Sequence, residues 1–267
     1  TYQGAPTPVA AYLSVGSKAA GFVGLLTICY LAFGEVRDIW GPALWVLAAL
    51  SMTLGNLTAL RQSNIVRLLG YSSIAHAGFI LVPFAMAAQF DAVALEEAFF
   101  ASVTYLIIYA FMNLGAFGAV IAGSEKAGSG ELDDWAGLNR YAPGVSLLLA
   151  VFFFSLAGVP PLAGWFAKLV MFRAVFAGGA NVWAVSLAVI AAVNAVIALY
   201  YYARVVKTVF MDAPPATAPI EQAVDRPVAA PLALALGMTA LVVVAAGFFP
   251  QVLAFFGDAT RALALGP

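Results

Sequence analysis

Long runs of apolar residues, separated by short polar connections, dominate this chain of 267 residues. A transmembrane helix needs about 20 predominantly apolar residues. In lipid only a helix satisfies its own backbone hydrogen bonds over such a run, so each run predicts a helix rather than a strand. The predicted segments are 9–31, 42–60, 65–88, 95–123, 143–177, 181–211 and 228–256. The pattern therefore predicts an all-α, polytopic transmembrane bundle of about seven helices.

The composition agrees with this pattern. Hydrophobic residues make up 64% of the chain, charged residues 9%, and the mean hydropathy is +0.98. A soluble domain is about half apolar and a quarter charged, so we expect residues 1–267 to form a single integral membrane domain. The net charge of −1 gives no electrostatic footprint for nucleic acid. The single cysteine, Cys29, lies in an apolar segment and is expected to be a small buried residue.

The positive charges predict an orientation, because Lys and Arg concentrate in cytoplasmic loops. If the chain starts on the cytoplasmic side, the polar connections 124–142 and 212–227 are cytoplasmic loops. Seven cations then lie in cytoplasmic loops or at the cytoplasmic ends of helices: Arg61, Arg67, Lys126, Arg140, Arg204, Lys207 and Arg226. Only Arg37, Arg173 and Arg261 lie on the other side. The start at Thr1 lacks the charged region of a signal peptide, and we expect the chain to be part of a longer polypeptide.

Two lysines, Lys18 and Lys168, lie inside apolar segments rather than near their ends. A lysine at mid-membrane costs about 2.5–3.5 kcal/mol on insertion scales. One interpretation is a snorkelling side chain with its amine at the interface. The other is a proton carrier, because an amine held away from water exchanges its proton when a neighbouring charge changes. No Asp or Glu lies in the middle of any segment, so a carboxylate partner is expected outside this chain.

The fifth segment contains a predicted helix break in SLAGVPPLAGWFAKL (155–169). Pro160 and Pro161 lack the N–H groups that would bond carbonyls one turn earlier. Gly158 and Gly164 allow irregular backbone and close approach. Such a break in lipid is tolerated where it lines a polar cavity, and discontinuous helices form ion sites in transporters. Lys168 follows Pro160 by eight residues, about 12 Å of helix. An ordinary proline kink is the alternative.

Polar residues also cluster in the third segment, where His76 follows Tyr71, Ser72 and Ser73. Ser72 and His76 are four residues apart and share a helix face. We interpret this group either as part of a proton path or as interhelical hydrogen bonding.

Other polar and small residues recur at helical spacing. The fourth segment carries Thr104, Tyr105, Tyr109 and Asn113. Gly115 and Gly118 predict close helix packing. The run Tyr200, Tyr201 and Tyr202 is interpreted as a set of interfacial aromatic residues rather than as site residues.

Taken together, several motifs resemble the antiporter-like membrane subunits of NADH:quinone oxidoreductase (respiratory complex I), and among these the bacterial subunit N group. They span nearly the whole chain in order. The motifs are YQGAPTPVAAYLSVGSKAAGF (2–22), NIVRLLGYSSIAHAGFILV (64–82), YAFMNLGAFG (109–118), DWAGLNR (134–140), SLAGVPPLAGWFAKL (155–169), LYYYARVVKTVFM (199–211) and GFFPQVL (247–253).

The resemblance implies a fold and roles for individual residues. Members have about fourteen helices with two inverted five-helix repeats, and this chain resembles helices eight to fourteen, that is, one repeat plus flanking helices. By resemblance, Lys18 is the central lysine, Lys168 lies on a broken helix on the exit side, and His76 lies in the axis between them. A glutamate and a further lysine of the family are expected upstream of this chain.

The resemblance also implies partners and cofactors. The chain is expected in the bacterial inner membrane beside other membrane-arm subunits, including homologous antiporter-like ones. FMN, iron–sulfur clusters and quinone are expected on other parts of the complex, with no cofactor or metal in this chain. Two alternatives stay open at this point, a subunit of a multi-subunit cation/proton antiporter and a purely structural membrane subunit.

Overall fold

The computed structural model describes residues 4–220 and 227–251. The described residues are predominantly helical, and their only strand-like feature is an isolated bridge between Asn64 and Glu131. The end of the seventh predicted segment and the cations Arg226 and Arg261 lie outside the described residues. The prediction of an all-α fold is confirmed.

Eight helices carry the fold of the described residues. They are α1 (Thr7–Tyr30), α2 (Arg37–Leu60), α3 (Ile65–Ala85), α4 (Ala92–Ala127), α5 (Pro143–Ala157), α6 (Ala163–Val175), α7 (Val182–Met211) and α8 (Ala230–Phe248). Within the described ranges, six of these (α1 to α4, α7 and α8) are long and apolar enough to cross a membrane. The fifth predicted segment forms α5 and α6, which are separated at residues 158–162. The chain is therefore a multi-pass membrane protein, and its fifth apolar segment is divided between two helices.

Side-chain caps set the start of several helices. The Asn64 side chain accepts hydrogen bonds from the backbone N–H groups of Val66 and Arg67, at 3.1 and 3.2 Å. Asp91 caps α4 and Asn181 caps α7 in the same way, at 2.8 and 2.9 Å. These bonds satisfy amides that have no partner inside the helix.

Helix α1 is not regular along its length. A π-helical turn, Leu13–Ser17, separates its α-helical stretches Thr7–Tyr12 and Lys18–Leu26, and a second π-helical turn, Thr27–Ala32, forms its end and continues just beyond Tyr30. Such wide turns are found mostly as isolated features, frequently at functional sites. The first turn lies directly before Lys18, and no feature of the hydrophobic pattern signals it.

Helix α4 lies at the centre of the bundle and packs against α1, α3, α5, α6 and α8. Helices α2 and α3 form a closely packed hairpin. A methyl group at Gly55 would lie 2.6 Å from the Ala75 nitrogen, and one at Gly78 would lie 2.7 Å from the Met52 nitrogen. These glycines allow the two backbones to touch. The predicted close packing at Gly115 is also found, against the Phe152 ring.

The break between α5 and α6 begins at Gly158, whose φ of +88° favours glycine. Its N–H donates to the carbonyls of Phe154 and Ser155, which ends α5. At Gly164, on α6, a methyl group would lie 1.7 Å from the Ser155 carbonyl oxygen. Gly158 and Gly164 thus have the two uses that the sequence predicts, irregular backbone and close approach.

Candidate functional site

Lys18 reaches from α1 to polar groups on α3 and α4. Its Nζ donates to the Ser73 hydroxyl at 2.5 Å and to the Ser73 carbonyl. It also lies 3.4 Å from the Tyr109 hydroxyl and 4.9 Å from the centre of that ring. One face of α1 is open in this chain, so the Lys18 side chain is partly exposed. The partners of the amine are hydroxyl and carbonyl groups, which accept from it without adding charge.

The π turn before Lys18 extends this polar group. Ser14, within the turn, is fully buried and its hydroxyl donates to the Ala11 carbonyl at 2.8 Å. The Asn113 side chain on α4 donates to the Ser14 hydroxyl at 2.7 Å. Tyr109 donates to the Ser73 hydroxyl at 3.0 Å. The predicted residues Ser73, Tyr109 and Asn113 are thus brought together around Lys18.

His76 lies beside this group in the bundle interior, with 2% of its surface exposed. Its Nδ1 is 3.1 Å from the Tyr105 hydroxyl, and its Nε2 is 3.5 Å from the Tyr202 hydroxyl. Its ring centre lies 5.2 Å from that of Tyr109. The predicted residue Ser72, one turn earlier on α3, is hydrogen-bonded to the same Tyr202 hydroxyl. A neutral imidazole donates at one nitrogen and accepts at the other, so hydroxyls on both sides suit proton transfer through the ring.

Lys168 folds back onto the helix break. Its Nζ donates to the carbonyl of Ala157 at 2.5 Å and lies 5.3 Å from the centre of the Phe79 ring. In an unbroken helix the N–H of residue 161 would bond this carbonyl, but Pro161 has none. The lysine amine therefore replaces the missing backbone donor. Lys168 is only 7% exposed, which is not the arrangement of a snorkelling lysine in this chain.

Aromatic rings occupy the space between the Lys168 end and the His76 end of the site. Phe79, below the Lys168 amine, stacks on Tyr105 with ring centres 6.3 Å apart. The His76 ring lies 5.9 Å from Phe79. Within the described residues, no direct hydrogen bond joins Lys168 to His76. Lys18 and His76 thus lie in two neighbouring hydrogen-bonded groups that meet where the His76 and Tyr109 rings pack together. Lys168 forms a separate centre across the Phe79 ring.

The interpretation of the tyrosine run as interfacial is wrong for two of its three members. Tyr200 is 64% exposed, but Tyr201 and Tyr202 are buried. Helical phase explains the difference, because consecutive residues point about 100° apart and only one can face outward. Tyr202 contacts Ser72 and His76, so it belongs to the site.

A polar pair that the sequence analysis did not single out joins α2 to α7. Asn56 is fully buried and its amide donates to the Asn194 side-chain oxygen at 3.0 Å. The Tyr201 hydroxyl donates to Asn56 at 3.0 Å, and the Tyr201 and Tyr202 rings lie 4.5 Å apart. Asn56, Asn194 and Tyr201 therefore hold Tyr202, which faces His76, in position. Each asparagine is isolated in its apolar run, so only the three-dimensional contact distinguishes it.

Tyr71 is the predicted site residue that lies apart from these contacts. Its side chain is partly buried against the apolar core, and no hydrogen bond of its hydroxyl is found among the described residues. Ser72, Ser73 and His76 face the interior instead. Among the residues that the structure describes, neither Lys18 nor Lys168 is paired with a carboxylate. Glu97 pairs with the exposed Arg173 at 3.4 Å, away from both lysines.

Comparison with known proteins places this arrangement in a family. Residues 1–198 match the family model described as NADH:quinone oxidoreductase/Mrp antiporter, TM. NADH-quinone oxidoreductase subunit N of Trichlorobacter lovleyi is 41% identical over 259 residues, which are 96% of this chain and 50% of that protein. NAD(P)H-quinone oxidoreductase subunit 2 of Thermosynechococcus vestitus is 44% identical over 213 residues, 80% of this chain and 39% of that protein. The chain thus spans half or less of the length of these relatives.

Solved structures show the same relationship. A chain of respiratory complex I from Thermus thermophilus superposes with a TM-score of 0.71 at 32% identity, over 95% of this chain and 52% of that one. A chain of the Mrp complex from Dietzia sp. shares the fold, with a TM-score of 0.70 at 23% identity over 86% of this chain and 48% of that one. The resemblance to subunit N seen in the motifs is confirmed. The chain belongs to the NADH:quinone oxidoreductase/Mrp antiporter family of membrane proteins.

Proposed function

We propose that this chain forms the proton-translocating part of a subunit N-type membrane subunit of NADH:quinone oxidoreductase, in the bacterial inner membrane. The observation that carries the proposal is the pair of neighbouring hydrogen-bonded groups around Lys18 and around His76, with Lys168 at the helix break beside them. Ionisable groups inside a membrane bundle are costly and mark ion or proton pathways. The sequence identity to subunit N proteins supports the assignment to the complex.

In this proposal Lys18 exchanges its proton with the hydroxyl groups of Ser73 and Tyr109. His76 takes part by accepting a proton at one ring nitrogen and releasing one at the other, between Tyr105 and Tyr202. Lys168 serves the second centre, and water bridges the region of the Phe79 ring. The buried hydroxyls orient the donors within each hydrogen-bonded group.

Partners and redox cofactors belong to the same proposal. Other membrane-arm subunits, including homologous antiporter-like ones, flank the chain. FMN, the iron–sulfur clusters and the quinone site belong to other subunits. Among the described residues, no group of three or more His, Cys, Asp or Glu side chains is arranged to hold a metal ion. The chemistry proposed for this chain is proton transfer.

The test uses the whole complex with Lys18→Ala or Lys168→Ala in the full-length subunit. NADH-driven quinone reduction and proton uptake into vesicles are recorded side by side, after assembly is confirmed. Removing a positioned proton-transfer group slows the step it serves by a factor on the order of 100. We therefore expect both rates to fall together in each variant.

Arg173→Gln is the matched control, because it removes an exposed cation, and we expect wild-type rates from it. Wild-type quinone reduction and proton uptake in both lysine variants would mean that the chain is a structural subunit. Sodium transport that replaces proton transport in the wild-type complex would instead favour the cation/proton antiporter alternative.

A further inference from the structure

A continuous stripe of side chains on the outer face of α7 ends in two cations. It follows the helical spacing of three and four residues and lines a surface groove of about 630 Å³. The lining residues are Val196, Leu199, Tyr200, Ala203, Arg204 and Lys207. Val196, Tyr200 and Arg204 are exposed. The groove is therefore apolar along most of its length and basic at one end.

A second groove of about 420 Å³ continues from the apolar end of the first. Val196 and Leu199 line both, so the two form one channel along the protein surface. The second groove lies against the helix break and is lined by Pro160, Trp165 and Lys168. A surface path thus leads from the cations of α7 to the residues that surround Lys168.

The length of this path matches one leaflet of a bilayer. Arg204 and Val196 are eight residues apart, about 12 Å along a helix. The hydrocarbon core of a bilayer is about 30 Å thick, so one leaflet is about 15 Å deep. Val196 would then lie near the midplane if Arg204 lies at the interface. An exposed Tyr200 next to a basic residue is typical of a membrane interface.

We propose that this continuous groove binds one phospholipid with an anionic headgroup, drawn from the surrounding bilayer. Its phosphate is held by Arg204 and Lys207, and one acyl chain lies along Leu199 and Val196 and ends beside the helix break. Basic pockets between transmembrane helices recognise anionic headgroups through charge. Lys207 also lies 3.4 Å from Asp212, so Arg204 provides the principal anchor.

The acyl chain has a definite position relative to Lys168. Trp165 and Pro160 form the apolar wall at its end, and the Lys168 amine points from there to the Ala157 carbonyl. A bound chain would cover this side of the break with hydrocarbon. The inference depends on the membrane location of the chain and does not require proton transfer.

The first experiment counts lipids in the purified complex. Phospholipids extracted from the detergent-washed complex are quantified by class with mass spectrometry. We expect Arg204→Gln/Lys207→Gln and Val196→Trp each to lose about one anionic phospholipid per complex. The controls Arg61→Gln and Val189→Trp change an exposed cation and an exposed valine outside the groove, and they should retain the lipid. Unchanged anionic lipid in both groove variants overturns the proposal.

A second measurement needs no variant that could fail to assemble. Phosphatidylglycerol with a photoreactive group near the end of its acyl chain is added to the wild-type complex and irradiated. We expect the label on the peptide that contains Trp165, and phosphatidylcholine with the same group should label it several-fold less. Equal labelling by the two lipids, or a groove peptide cross-linked only to a neighbouring subunit, overturns the proposal.

Discussion

At the scale of single residues, the hydroxyl of Tyr202 joins helix α7 to helix α3 beside His76. Tyr202 is fully buried. Its hydroxyl is hydrogen-bonded to Ser72 and lies 3.5 Å from the Nε2 of His76. The Phe153 ring packs edge-on against it, with centres 5.3 Å apart. The hydroxyl therefore holds α3 to α7 at the point where His76 needs a partner.

Tyr202→Phe removes this hydroxyl and leaves the ring in place. We expect the complex to assemble and the rate of coupled quinone reduction to fall several-fold, because Ser72 and His76 each lose a buried partner. Leaving such a group unpaired costs about 1–3 kcal/mol. The readout is the pH profile of the coupled rate, which a purely structural change would not shift.

Tyr200→Phe provides the comparison for this prediction. It changes the preceding residue, whose side chain is 64% exposed. We expect it to behave as the wild type in both rate and pH profile. Equal behaviour of the two variants would argue that the Tyr202 hydroxyl has no part in the proton path.

Much of the site's residue set could be predicted, but its connections could not. Lys18, Lys168 and His76 are visible because ionisable residues are rare in apolar runs. Tyr202 and Asn56 are not distinguishable in the same way, since single polar residues are common near helix ends and in bundles. Their importance comes from contacts between α2, α3 and α7, which sequence spacing does not encode.

At the scale of elements, the divided fifth segment depends on very close approach between its two halves. The N–H of Gly164 donates to the Ser155 hydroxyl at 3.1 Å, and the Ser155 carbonyl lies where a side chain at position 164 would begin. Helix α8 meets the break in a similar way. A methyl group at Gly247 would lie 1.9 Å from the Pro161 carbonyl oxygen.

Gly164→Ala should separate α5 from α6. Because the added methyl group would overlap a backbone atom, we expect a loss of stability of about 1–3 kcal/mol, measured as a lower melting temperature and a lower yield of assembled complex. Gly237→Ala on α8 is the control, since nothing lies within 4 Å of the added group. A melting temperature of Gly164→Ala equal to that of the control would contradict the packing described.

The elements themselves were largely predictable from the apolar pattern. Helices α2 to α4 and α7 were expected within a few residues of their observed bounds, because a long apolar run in lipid satisfies its backbone hydrogen bonds only as a helix. The division of the fifth segment followed from Pro160 and Pro161. The π turn before Lys18 was not predictable, because it brings Ser14 to Asn113 on a neighbouring helix, a contact that sequence spacing does not encode.

At the scale of the whole molecule, the distribution of charge predicts which ends of the helices face the cytoplasm. Helix α7 has 30 residues, about 45 Å of length, so the connections at its two ends lie on opposite sides of a bilayer. The orientation predicted from Lys and Arg places the connection after Met211 inside and the one before Val182 outside. The pairing of Arg173 with Glu97 is consistent with this, because the end of α6 and the start of α4, where they lie, are both outside in this orientation.

Cysteine labelling tests this orientation. A membrane-impermeant maleimide should label Thr217→Cys in inside-out vesicles and Ala180→Cys in right-side-out vesicles, since both positions are exposed. The unsubstituted subunit is the control for labelling of native cysteines, and within this chain the single cysteine, Cys29, is buried. The reverse pattern would show that the predicted orientation is inverted.

The bond from Lys168 to the Ala157 carbonyl has one more consequence. It makes a side-chain amine part of the backbone hydrogen bonding of a divided helix. By thermodynamic reciprocity, if the proton occupancy of the amine alters the strength of this bond, then any displacement of the break must alter the proton occupancy by the same free energy. A movement elsewhere in the bundle that displaces the helix break would then change the proton occupancy of Lys168.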